Sequence, residues 1–246
     1  MSRDSANLWD QKEQTYPRFD SKNCEFQRQI LATASSWGVE FNGQNIVEIG
    51  AGTGNYTFLL GEMANNVLAL DFSANMLKTL DSDAKRLNLS DKITTQKADF
   101  RDFSTDICYD IAFGAMTPAL FDEVAFEKFH RLATRKIWLG WAGKRDSKLL
   151  NAVFEAHDQA VHPHDTAAKL KSWLEKNAIN YKNKPFDDSW ERTKPLAMAI
   201  NDQAWHLKMH DIAPDMDKIS QVLSKFADKN GDVYDKTEVK VELIVW

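Results

Sequence analysis

Apolar and polar positions along the first 145 residues switch repeatedly between two periods. Residues 23–37 (NCEFQRQILATASSW) space their apolar side chains as a helix does, and residues 45–49 (NIVEI) read as a short buried strand ending at a glycine cluster. Residues 55–65 predict a helix and VLALD at 67–71 a strand. A helix then starts at Ser73, a residue type suited to cap it, and runs through SANMLKTLDSDAKRL. Strands follow at 92–98 and 109–115, a helix at 122–132, and a third apolar run of strand length, KIWLGWA, at 136–142. Strand and helix alternating in this way predict an α/β fold with a parallel sheet covered by helices on both faces. Such a sheet binds ligands beyond the carboxyl ends of its strands.

The pattern changes after residue 145. Helices are expected at 147–160 and 167–177, a strand near 178–186, and helices again at about 194–210 and 216–228. The turn signal Asn230-Gly231 then leads into a strong final strand, TEVKVELIVW.

Composition narrows the class. With 246 residues the chain is long enough for a sizeable core, and 43% hydrophobic with 27% charged residues excludes a largely disordered chain. No apolar run approaches the roughly 18–20 residues of a membrane helix. The opening MSRDSANLWDQKEQ is polar, so no membrane association and a cytoplasmic location are expected. Cys24 and Cys108 are too few for a disulfide scaffold and lack metal-ligand spacing. The net charge of −5 argues against nucleic acid as the main partner, because phosphate backbones need a positive footprint. Six of the eight Trp residues lie after residue 137, so the second half is rich in large flat side chains.

The sharpest chemical signal is Glu48-Ile49-Gly50-Ala51-Gly52-Thr53-Gly54, which packs three of the ten glycines into five positions between a strand and a helix. Glycine there permits backbone angles that a Cβ forbids and lets the chain approach a ligand closely. The spacing is G-x-G-x-G. A dinucleotide fingerprint would need its third glycine at position 55, which is Asn55. Asp71, at the end of the second strand, can accept two hydrogen bonds from the cis hydroxyls of a ribose; it also fits a charge at a helix N-terminus. Asp99-Phe100 ends the third strand, and Glu48 is an acid in an apolar strand, costly unless it is paired.

Taken in order, these segments resemble the motifs of class I S-adenosylmethionine-dependent methyltransferases of the small-molecule type, over roughly residues 45–142. The resemblance implies a Rossmann-like seven-stranded sheet with an antiparallel last strand at 234–246. It implies an N-terminal helical arm over 1–40, a core over 41–187, a helical cap insertion over 188–230 and a final strand over 231–246, all in one domain. It implies S-adenosyl-L-methionine as cofactor, with Gly50, Gly52 and Gly54 in the loop and Glu48 ordering that loop and the methionine end. Asp71 would hold the ribose, Phe72 and Met76 would pack on the adenine, and Asp99 and Phe100 would bond the ring. Gly114 would face the methionine part. Trp9, Tyr16 and Phe19 resemble the opening of family members whose arm folds its Tyr over the cofactor; packing serves Trp9 and Phe19 equally well.

The cofactor motifs do not identify the acceptor. Gly114-Ala115-Met116-Thr117-Pro118 is not the N-P-P-Y type used on nucleobase and glutamine amino groups, and neither cysteine follows a proline. A small-molecule acceptor is therefore expected, with Met116 and Thr117 beside it. His162, His164, His206 and His210 are candidate catalytic residues, and they also fit capping and surface positions. Asp228–Asp232 superficially resembles a calcium loop, but its glycine is misplaced, so no metal is expected. Trp141, Trp190 and Trp205 fit an aromatic acceptor pocket, and equally an interface in a homodimer. Two rival functions stay open: methylation of protein or RNA, and an NAD(P)-binding oxidoreductase or non-catalytic nucleoside-binding protein.

Overall fold

A computed structural model describes residues 3–246; the side chains of residues 3–6 and of His164 lie outside the described part. The chain forms two compact units. The first comprises Met1–Gly140, Thr166–Lys184 and Glu242–Trp246, and the second Trp141–Asp165 and Pro185–Val241.

In the first unit, helices α1 (Arg3–Lys12) and α2 (Glu25–Ser36) precede strand β1 (Asn45–Ile49), helix α3 (Thr57–Met63), strand β2 (Asn66–Asp71) and helix α4 (Ala74–Arg86). Strands β3 (Ile93–Lys97) and β4 (Tyr109–Ala115), helix α5 (Glu123–Arg131) and strand β5 (Ala133–Gly143) follow. β1 pairs in parallel with β2 and β4, β2 with β3, and β4 with β5. The register sets Glu48 beside Ala69 and Ile49 beside both Leu70 and Gly114, so the ends of β1, β2 and β4 lie level. β1 is buried after its first residue, as a central parallel strand covered on both faces must be. Ser73 caps α4 by accepting the Met76 amide at 3.2 Å, and Asp122 caps α5 by accepting the Ala125 amide at 2.9 Å.

The last strand closes this unit. Lys136 and Trp246 exchange both backbone hydrogen bonds, at 2.9 and 3.1 Å. That reciprocal exchange is the mark of an antiparallel pair, so β9 (Asp232–Val245) runs against β5 at its end. The Trp246 ring packs on Phe129 and its indole N–H donates to His130 Nδ1 at 3.0 Å. Trp138 is 2% exposed, and its ring fills the space that a Cβ on Gly140 would occupy. Seven strands longer than two residues occur among the described residues, in the order β3-β2-β1-β4-β5-β9 with β8 (Lys182–Pro195) paired to β9.

Helix α7 (Thr166–Lys176) also belongs to the first unit. The N-terminal arm docks on α4 through polar groups. Asp10 accepts from the Ser73 hydroxyl and the Asn75 amide, Thr79 donates to Glu13, and Arg18 holds Asp83 with two bonds of 2.9 and 2.6 Å.

The second unit has its own core. Helices α6 (Lys148–Ala156), α8 (Leu196–Met209) and α9 (Met216–Ser224) bury Leu150, Phe154, Leu207, Ile219 and Leu223 together with Val233. Strand β6 (Asp146–Ser147) pairs antiparallel with β9, and β7 (His164–Asp165) with the end of β5. The expected strand near 178–186 extends to Pro195, so the segment expected to be helical from residue 188 starts as strand and turns helical only at Leu196. Proline explains the boundary: its fixed φ and missing N–H end the strand and suit a helix start. Among the described residues, no helix is long and apolar enough to cross a membrane.

The Asp83 carboxylate has no exposed side-chain surface and is shared by Arg18 and Arg86. Replacing it with alanine is expected to cost roughly 1–3 kcal/mol of stability. Urea unfolding of Asp83→Ala measures this, and an unmoved midpoint would show that the arm's ionic anchor contributes nothing.

Candidate active site

The carboxyl ends of the parallel strands surround a cleft of about 420 Å³ lined by Ile49, Gly50, Asp71, Phe72, Asp99, Phe100 and Thr117, among others. The glycine loop that borders it is clamped to β2. The amides of Gly50 and Ala51 both donate to the Leu70 carbonyl, at 2.8 and 3.0 Å, and that of Gly52 donates to Asp71 Oδ2 at 2.8 Å. All three glycines have positive φ, between 58° and 96°. Gly50 is additionally required by crowding, since a Cβ there would lie 2.1 Å from Thr117 Oγ1. Nothing lies within 4 Å of a Cβ built on Gly52, which leaves open space on that side of the loop.

Asp71 is 7% exposed and bridges two elements. Its Oδ2 takes the Gly52 amide, and its Oδ1 takes the Ser73 amide at 2.8 Å. Burial pushes its pKa up, against the pull of the backbone amides. A carboxylate has about four lone-pair sites, and the Gly52, Ser73 and Phe72 amides leave some of that capacity for a ligand. Asp99 Oδ1 accepts the Arg101 amide at 2.9 Å, which fixes its carboxylate at the cleft. Phe100 is buried at the cleft with the Lys128 ammonium 5.1 Å from its ring centre. Arg101 lies over the Phe121 ring and pairs with Asp122, a cation at the cleft that motif reading missed.

Glu48 lies in β1 behind the loop, 3% exposed, and accepts the Thr57 hydroxyl at 2.6 Å. Burial pushes its pKa up to about 8, and the Asp71 charge adds to the rise. Gly114 packs under Leu120, whose methyl would be 2.5 Å from an added Cβ. Met116 then adopts φ 53°, unusual for a residue with a side chain, and its amide is held by the Leu139 carbonyl at 2.7 Å.

The other sequence candidates fall elsewhere. Met76 is buried in the core, 1% exposed, in the first turn of α4. Tyr16 ends the 3₁₀ turn of the arm with its ring edge-on to Trp9, 5.9 Å between centres. Trp141, Trp190 and Trp205 belong to the second unit, where Trp190 receives the Arg145 guanidinium at 5.5 Å. So do the four histidines. His206 is 9% exposed and lies edge-on to Trp205; His210 lies edge-on to Phe154. His162 is exposed, and the side chain of His164 lies outside the described residues. No cluster of three or more potential metal ligands occurs among the described residues.

Residues 46–136 match the family Methyltransf_25, described as a methyltransferase domain. The fold is shared with solved structures of low identity. The YcgJ protein from Bacillus subtilis is 13% identical over 89% of this chain and 97% of its own, with a TM-score of 0.57. DhpI in complex with SAH is 18% identical over 74% and 88%, with a TM-score of 0.50. Precorrin-6y C5,15-methyltransferase from Geobacter metallireducens is 13% identical over 89% and 87%, with a TM-score of 0.50. This chain shares its fold with these proteins, and its residues 46–136 are similar to a methyltransferase domain. No curated protein sequence matches it.

The cleft has a mixed polar and apolar lining. It combines a buried carboxylate with spare lone pairs, a second fixed carboxylate, apolar walls and an open side at Gly52. Glu48 makes stability pH-dependent in a defined direction. Its carboxyl ionises near 4.5 when unfolded and near 8 when folded, so between those values the folded state holds the extra proton. Stability therefore falls as pH rises through that window, by up to about 1.4 kcal/mol per pH unit, and levels off above it. Glu48→Gln should flatten this slope. Urea unfolding at pH 5.5 and 7.5 compares the two proteins, and equal slopes would remove the protonated Glu48.

Proposed function

We propose that this chain is a class I S-adenosylmethionine-dependent methyltransferase that acts on a small-molecule acceptor and holds its cofactor in the cleft at the ends of β1–β4. S-adenosylmethionine supplies an activated methyl group and a good leaving group, so the protein has to align the acceptor and exclude water. Asp71 would accept the ribose hydroxyls through its remaining acceptor capacity. Asp99 would receive the adenine amino group, with Phe72 and Phe100 against the ring and Met76 supporting from α4. Gly50, Gly52, Gly54 and Gly114 would leave room for the backbone to approach the ligand. Glu48 would order the loop at the methionine end, and Tyr16 would cover the bound nucleoside. Met116 and Thr117 would shape the floor for the acceptor. The second unit carries the further acceptor candidates Trp141, Trp190 and Trp205, and the four histidines as acid/base candidates.

The cofactor placement rests on Asp71, a buried carboxylate that fixes both the glycine loop and the helix start while keeping acceptor capacity at the cleft. The small-molecule reading is supported by the net charge of −5 and by Met116-Thr117-Pro118-Ala119 at the end of β4 in place of an N-P-P-Y segment.

Calorimetry with S-adenosylhomocysteine tests the cofactor site. Asp71→Ala should weaken binding by roughly 1.5–3 kcal/mol, about 10- to 150-fold, because charged hydrogen bonds are lost. A change within about twofold would refute the ribose contact, and tight NAD(P) binding without S-adenosylhomocysteine affinity would overturn the whole placement. The acceptor is tested by incubating the enzyme with methyl-labelled cofactor and a cell extract split by size. Label should appear in the small-molecule fraction; label only in protein or RNA would overturn the acceptor class.

A further inference from the structure

The N-terminal arm and the glycine loop are joined by a closed circuit of hydrogen bonds that passes through Asp71. Asp10 Oδ1 accepts the Ser73 hydroxyl at 2.5 Å and the Asn75 amide at 3.2 Å, and the Asn75 side chain donates back to the Asp10 carbonyl at 3.1 Å. The Ser73 amide donates to Asp71, and Asp71 accepts the Gly52 amide. The next loop residue, Thr53, donates its hydroxyl to the Pro17 carbonyl at 2.8 Å, seven residues along the arm from Asp10. The circuit thus leaves the arm at Asp10 and returns to it at Pro17.

Ser73 shows why Asp10 matters at this point. Its hydroxyl has one proton, and that proton is committed to Asp10, while a lone pair on the same oxygen takes the Met76 amide as the helix cap. Asp10 therefore orients the cap that positions the Ser73 amide, and the Ser73 amide fixes one oxygen of Asp71. Its negative charge also lies at the positive end of α4.

We infer that Asp10 is a positioning residue for the cofactor carboxylate Asp71, so that docking of the arm and binding of the nucleoside assist each other. This rests on the placement of the cofactor ribose at Asp71 proposed above. Coupling of two such events is reciprocal: the factor by which the docked arm raises affinity equals the factor by which the ligand favours docking. Two charged or titratable side chains act on Asp71, namely Asp10 from the arm and Glu48 from β1; its remaining partners are backbone amides. The Asp10 charge keeps Asp71 easier to protonate, so its neutralisation should extend binding to lower pH.

The test measures S-adenosylhomocysteine affinity across pH, and amide exchange of residues 3–12, in the wild type, Asp10→Ala and Asp10→Asn. Asp10→Asn keeps an acceptor for Ser73 without the charge. Affinity should fall about tenfold in Asp10→Ala and stay within about threefold in Asp10→Asn, as loss or retention of a charged acceptor implies. The acid limb of binding should move to lower pH in Asp10→Asn. The ligand should slow exchange in the arm of the wild type and of Asp10→Asn, and not in Asp10→Ala. Affinity within twofold of wild type in a folded Asp10→Ala, or arm exchange that ignores the ligand, would overturn the inference. Should Asp10→Ala not fold, an unmoved acid limb in Asp10→Asn does so. Failure of the wild type to bind S-adenosylhomocysteine would instead remove the placement on which the inference rests.

Discussion

One buried carboxylate holds the working end of the sheet together. Asp71 receives the Gly52 amide on one oxygen and the Ser73 amide on the other, so the loop after β1 and the helix after β2 are fixed to a single point. Removing a carboxylate from water is costly, and burial does push Asp71 towards its neutral form. The backbone amides offset that cost. A carboxylate held by backbone amides on both oxygens, with acceptor capacity left over, is arranged for a ligand that brings hydroxyl donors. The glycines follow from the same constraint: to present its amide to Asp71, the loop must pass through left-handed backbone angles, and at Gly50 it must also pass within reach of Thr117.

Glu48 sits close by and behaves differently because its partners differ. It accepts the Thr57 hydroxyl, and burial is the largest influence on its charge. Burial then prevails, and the group stays protonated near neutral pH. Two acids at the ends of adjacent strands thus divide the work. The neutral one packs and orders the region beneath the loop. The other, held by backbone amides, lies at the cleft.

The parts of this arrangement that were legible in the sequence are those carried by local chemistry. The glycine spacing, Asp71 before a Ser cap, and Asp99-Phe100 each announce themselves within a few residues, and parallel strands buried on both faces leave unbroken apolar runs. Strand β8 was less visible. Its second half sets Asp188, Trp190, Arg192 and Lys194 on the half-buried face, so period-two burial is carried mostly by charged residues. The arm circuit could not be read at all. Asp10 meets Ser73, and Arg18 meets Asp83, across more than sixty residues of chain, and no local pattern encodes a polar contact at that separation.

The second unit shows the same limit for aromatic and histidine residues. Spacing placed His206 and His210 on one helix face, which is true of a metal site, a catalytic pair and a packed helix alike. Their surroundings separate these cases in part. His210 meets the edge of Phe154, a member of that unit's apolar core, while His206 lies against Trp205 and is nearly covered. A histidine whose ring packs on a core aromatic contributes hydrophobic surface first. The Trp excess reads the same way in the first unit. Trp138, Trp173 and Trp246 are all buried there, held by ring contacts and by the indole bond to His130. Of the six Trp residues after residue 137, Trp138 fills the space beside Gly140, while Trp141, Trp190 and Trp205 are left partly exposed.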